Sequence, residues 1–246
     1  MFGWIGRSGA GDIGWLLMPT AASLIWDAPA PPERKLAKPR SAKAVQVCPA
    51  VIDFDARNVV VPCPIDLHVR FGYDAKGQAH CVNVDGAQSS VRTKALNQMI
   101  AIVAPSEWRH PDRPIIQVIT PYVFLADAPA WLSQFPPFLD YAQPPLPGVL
   151  IGGRFPVHVW PRQLMWAFEW HDITQPLLVR RGQPWFYLRF ETLDPNRIPR
   201  VVEAVLTPEI KAYIDGLSGV TNYVNRTFSL FGRAARRRPA KLLVRR

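Results

Sequence analysis

Five histidines raise the first chemical possibility, because an antiparallel β-barrel that turns His and carboxylate side chains inward is a common cage for a catalytic metal. His68 lies in DLHVRFGY with Asp66 two residues earlier, which places both on one face of an alternating strand. His158 lies in FPVHVW, and His171 follows Glu169 and Trp170. Two imidazoles and one carboxylate would make the facial triad of a non-haem iron enzyme, with His68, His158 and Glu169 or His171 as the ligands. The usual local pattern sets a His and an acid on one strand with a single residue between them and a second His far away. Only Asp66 and His68 approach it, in reversed order. A His on the polar face of a strand is more often simply solvated, so no cofactor is expected and Fe(II) is the alternative.

Other chemistries have less to work with. There is no GxSxG elbow, and the Ser and Cys positions have no recognisable His or Asp neighbours for nucleophilic catalysis. No phosphate-cradling loop of Walker or dinucleotide type occurs, and Gly152, Gly153 and Arg154 read as a hairpin connection. Cys48, Cys63 and Cys81 are an odd, sparse set without CxxC spacing, which argues against a disulfide framework or an all-Cys zinc site. The aromatic runs MWAFEW (Met165 to Trp170) and PWFYLRF (Pro184 to Phe190) could stack bases or sugars. Core packing explains them more simply, since Trp166, Phe168 and Trp170 alternate with Met165, Ala167 and Glu169.

The elements that would position these residues are mainly strands. A chain of 246 residues, 48% hydrophobic and 20% charged, folds around a core. Its 26 prolines are about twice average usage and favour turn-rich β structure over helices. Short apolar runs bounded by turn residues begin at Ala44: Val59 to Cys63, the alternating Asp66 to Tyr73, Met99 to Val103, Pro114 to Thr120, and further runs through Phe190. The pattern predicts an antiparallel β-sandwich or jelly-roll-like barrel over residues 45–206. After Pro199 the period changes to that of a helix, traced by Ile210, Tyr213, Ile214, Leu217, Val220, Tyr223, Val224 and Leu230. Thr207, Pro208 and Glu209 supply a cap, a first-turn proline and a favourable charge, so a helix is expected over 207–232 with a weak point at Gly216 and Gly219.

The ends look different. The apolar stretch Trp15 to Trp26 is 12 residues long, short of the roughly 20 that span a bilayer, and residues 1–26 read as a tethered docking segment. Residues 27–44 read as a linker rich in Pro, Lys and Arg. The formal charge of +10 resides in two places. Residues 233–246 hold seven basic side chains and no acid, and residues 33–43 hold five against Glu33, so the body is near neutral. The C-terminal set, Arg233, Arg236, Arg237, Arg238, Lys241, Arg245 and Arg246, reads as a flexible basic tail able to contact nucleic acid, anionic lipid or an acidic protein. The expected compartment is cytoplasmic, in a host cell or within a virion.

The succession CPAVIDF at Cys48, VPCPIDLHVRF ending at Phe71, ITPYVFLAD, QFPPF, GGRFPVHVWPRQLMWAFEW and LLVRRGQPWFYLRFET resembles an uncharacterised family encoded by marine tailed phages and some proteobacteria. In that family a strand ending in Cys-Pro opens the domain, and an Arg-Gly-(Asp or Gln)-Pro turn precedes an aromatic strand near its end. The resemblance covers residues 48–192 and implies one domain in a phage or mobile-element setting, with no activity attached. The expectation is a non-enzymatic interaction or virion-associated module whose partners are phage structural proteins or a second copy of the chain. A cupin-like metal-dependent enzyme is the alternative.

Overall fold

A strand keeps its polar/apolar alternation only while one face meets solvent, and this separates the strands of the computed structural model, which describes residues 11–20, 24–33, 41, 43–138, 145–220 and 227–246. In chain order the elements are β1 (Ile13–Leu17), α1 (Pro49–Ala56), β2 (Asn58–Pro62), β3 (Leu67–Tyr73), β4 (Ala79–Asn83), α2 (Thr93–Met99), β5 (Ile100–Ile102), β6 (Ile115–Leu125) and β7 (Ala130–Phe135). There follow β8 (Gly148–Leu150), β9 (Arg154–Pro156), β10 (Gln163–Trp170), β11 (Leu177–Val179), β12 (Pro184–Thr192), β13 (Val201–Glu203), α3 (Pro208–Val220) and α4 (Thr227–Arg237). The fold is a mainly β, largely antiparallel sandwich with C-terminal helices. Among the described residues the strands form three sheets: β13-β1-β6-β10-β8 with β5 also on β6, then β2-β12-β7-β9, and β11-β3-β4. No helix among them is long and apolar enough to cross a membrane.

The inner faces meet in one core built around Trp166, Phe168, Trp170, Trp185 and Phe186, and the Trp166 and Trp185 rings lie 5.4 Å apart. The two aromatic runs are therefore core strands facing each other from different sheets. A second cluster lies on the outer face of the largest sheet, where Leu16, Val123 and Leu125 meet Ile210, Tyr213, Ile214 and Leu217 of α3. One end of that sheet is thus covered on both faces, which is why YVFL in β6 and WLL in β1 are unbroken apolar runs. β6 passes through Pro121, which has no N–H to offer a neighbour. The pairing with β10 shifts there, and the Thr120 hydroxyl donates to Leu164 O at 2.8 Å across the irregularity.

Several expectations change. Residues 13–17 are not a tethered docking tag: β1 lies between β13 and β6, parallel to the first and antiparallel to the second. Residues 1–10 and 21–23 of that segment, and 34–40 and 42 of the linker, lie outside the described residues. The first part of the linker belongs to the fold, since Ala30 bridges Val60 and Asp27 O accepts from the Tyr122 hydroxyl, while Trp26 just before it packs on Trp185 and Tyr122. CPAVIDF is a helix, α1, with Pro49 in its first turn, and α2 is a second short helix where the sequence suggested only strands. Gly152 and Gly153 link β8 to β9 in a different sheet, so they are not a hairpin. Thr207 does cap α3, its Oγ1 accepting from Ile210 N at 3.2 Å. Among the described residues helix runs over Pro208–Val220 and Thr227–Arg237, and the expected stripe residues Tyr223 and Val224 lie outside them.

Candidate functional site

Two of the four candidate ligands come together. Glu169 points away from the sandwich core near the end of β10, yet its side chain is only 3% exposed because Arg109 and His171 cover it. Its Oε2 accepts from Arg109 Nε at 2.7 Å, and its Oε1 lies 2.9 Å from His171 Nε2. Arg109 reaches in from the loop before β6, where the neighbouring Trp108 indole donates to Val103 O. His171 is anchored by its own N–H on Pro147 O at 2.8 Å. Gly148 lets that segment lie flat on β10, because a Cβ there would sit 2.0 Å from Glu169 O. The Arg109 hydrogen bond holds the Glu169 carboxyl below its ordinary range against the opposing effect of burial, and His171 adds to the lowering.

An ionised carboxylate of this kind is a poor proton donor, but it fixes an imidazole well. His171 stands on the rim of an open groove of about 660 Å³ whose walls include Leu146, Pro147, Val149, Gln175 and Leu178. Asp172, also on the rim, is held in a local turn by accepting from Thr174 N and Oγ1. Glu169, Arg109 and His171 can therefore clamp the Pro147 turn and the Arg109 loop to β10.

The other candidates lie elsewhere. His68 is on the outer face of β3, with Nδ1 at 2.8 Å from Asp85 Oδ1, and Asp66 accepts from Arg181 N. His158 is not on a strand but in the turn after β9; its Nδ1 lies 2.9 Å from Ala130 O, and its ring meets Trp131 edge-on. His68, on β3, His158, in the turn after β9, and the Glu169–His171 pair, at the end of β10, have separate partners, so the proposed set of metal ligands is not assembled. Among the described residues no group of three or more His, Cys, Asp or Glu side chains is gathered as a metal ion requires. Burial pushes the thiols of Cys63 and Cys81 up to about 12, away from the reactive thiolate.

No protein-family model and no curated protein matches this chain. Its two most distinctive motifs are joined to each other in space. Cys63 N donates to Gln183 O at 2.9 Å, and Gly182 N donates to Cys63 O at 2.8 Å. Gly182 has φ +79°, which the turn into β12 requires. The Cys-Pro strand end and the Arg-Gly-Gln-Pro turn are two halves of one structural joint.

The basic segment is the largest departure from expectation, because it is folded and not a free tail. Ala234, Leu242 and Leu243 are buried in the outer cluster. Val205 N donates to Val244 O and Arg246 N to Glu203 O, so the last residues run along the outer edge of β13. Asp127 Oδ1 accepts from Leu242 N at 2.6 Å and Leu243 N at 3.1 Å. Arg238 donates to the carbonyls of His158 and Asp127. Arg245 and Arg200 both pair with Asp12, whose side chain is 1% exposed, and Arg246 pairs with Glu203. Arg233, Arg236, Arg237 and Lys241 remain exposed, the first three at helical spacing on one side of α4. None of these four is in an ion pair among the described residues. The signal for the latch was Leu242-Leu243 itself, an apolar pair inside a run of charge.

Proposed function

We propose that the chain is a non-enzymatic interaction module of a phage or mobile element, virion-associated, which engages an acidic protein face or nucleic acid through α4. One observation carries this reading: Arg233, Arg236 and Arg237 are presented outward by a helix docked on the sheet, with Lys241 exposed four residues past its end, while Arg200, Arg238, Arg245 and Arg246 are engaged inside the chain. A fixed cationic face on a near-neutral body concentrates attraction at one place and orients a partner, which a mobile tail does less well. Glu169, His68 and His158 fit the same reading, since each holds neighbouring segments together.

The test is sedimentation of the purified chain with virions or isolated capsid proteins, together with filter binding to duplex DNA at low salt. Binding to at least one is expected, and the triple variant R233E/R236E/R237E should lose it. If the contact is with phosphates, the salt slope should fall by about three on that substitution, near 0.9 per contact. No binding in either assay, or binding untouched by charge reversal, refutes the proposal.

A further inference from the structure

A second cation is handled differently from those on α4. Arg162, just before β10, lies beside α3, and its guanidinium sits over the Trp160 ring at 4.8 Å from the ring centroid. Its donors reach only Gln163 O at 3.4 Å and Met165 Sδ at 3.5 Å, both long, and it has no carboxylate within ion-pair distance among the described residues. A guanidinium carries five N–H donors, so most of its capacity is left open to water or a ligand. Arg162 is half-buried, and that burial without a counter-charge holds its pKa below the ordinary arginine value.

The same guanidinium lines a cavity of about 190 Å³ whose other walls are mostly apolar, with Met18, Met165, Ile214 and Leu217 around it. That space equals about six waters at roughly 30 Å³ each. It is smaller than the roughly 300–1,000 Å³ of sites for larger ligands. Asp215 also lines the cavity and is paired with Lys211 at 2.5 Å. Its negative charge disfavours a doubly charged phosphate and tolerates a singly charged group. We propose that this cavity is a carboxylate-binding site, with Arg162 as the anchoring cation, Trp160 as the surface that supports it, and the methionine and leucine walls receiving a short apolar tail. The carboxylate comes either from a small free acid or from a Glu or Asp side chain of a partner, and both offer the planar, bidentate acceptor that arginine matches.

The test is titration of the intact chain with sodium butyrate, sodium benzoate and N-acetyl-glutamyl amide at constant ionic strength, with inorganic phosphate and butylammonium as comparisons. Binding is followed by calorimetry and by the Arg162 Nε–H NMR signal. Saturable one-to-one binding of at least one carboxylate that moves this signal is expected, with affinity reduced about tenfold or more by Arg162→Gln. Arg162→Lys keeps the charge without the fork and should recover binding only in part. Binding of the glutamyl amide but not of butyrate or benzoate would identify a partner side chain as the source, and the opposite pattern a free acid. Thermal unfolding guards against a misfolded variant: the carboxylate should raise the midpoint of the wild-type chain and leave that of Arg162→Gln unmoved. Phosphate bound as tightly as the carboxylates, no saturable binding, or equal binding by Arg162→Gln overturns the proposal.

Discussion

Leu242→Ala separates a folded C-terminal latch from a solvated basic tail. Leu242 is fully buried in the cluster formed by β1, β6, α3 and α4, and its N–H donates to the Asp127 carboxylate. Truncating a buried leucine removes about 2–5 kcal/mol, the spread reflecting how far the neighbours collapse. For a chain of this size each kcal/mol moves the midpoint by about 2–4 °C, so the variant should melt about 4–20 °C lower. The backbone bond to Asp127 survives the substitution, so the loss reports packing and not the cap. Calorimetry and urea unfolding of both proteins at pH 7 measure it. Lys241→Ala, one residue away and exposed, is the control and should change stability by no more than about 0.5 kcal/mol. A Leu242→Ala effect as small as that of the control would refute the latch and restore the mobile tail.

Two further outcomes follow from the same packing. The folded-state carboxyl of Glu169 is held below its ordinary value of 4.5, so its ionic contribution is fully present above that value and lost as pH falls through the lower folded value. Glu169→Gln should therefore lie below wild type in stability by a constant amount at neutral pH, with the gap closing below about pH 4.5; a gap that widens in acid contradicts the assignment. Gly14→Ala would bring a methyl to 2.5 Å from Leu243 Cδ1 and 2.8 Å from Leu125 Cδ1. It should cost about 1–3 kcal/mol by overpacking, and Leu243→Ala in the same chain should relieve part of it, whereas strictly additive costs would mean the two do not meet.

Legibility followed the number of covered faces. Strands with one open face, such as Leu67–Tyr73 with Leu67, Val69 and Phe71 buried, were readable from alternation alone. α3 was readable from its period and from the Thr207 cap. WLLM was misread because a strand buried on both sides looks like any apolar run, and its neighbours, β13 and the second half of β6, are more than a hundred residues away in sequence. α1 and α2 are short, so their periods are no stronger than those of the strands around them.

The charged residues illustrate a different loss of information. Composition counts Arg162, Arg238 and Arg236 alike, but their environments give them three roles. Arg238 is saturated by backbone carbonyls and behaves as a strut. Arg236 is exposed on a helix face and is available to a partner. Arg162 is half-buried beside a cavity, with few protein acceptors for its donors. What distinguishes them is the supply of acceptors within about 3 Å, which depends on chain segments far apart in sequence. A basic run can therefore be structural while a lone arginine in an aromatic stretch marks a site. The informative quantity is the hydrogen-bonding capacity that the chain leaves unmet at a half-buried charge, and by that measure Arg162, which no motif singles out, stands above the seven basic residues at the C-terminal end.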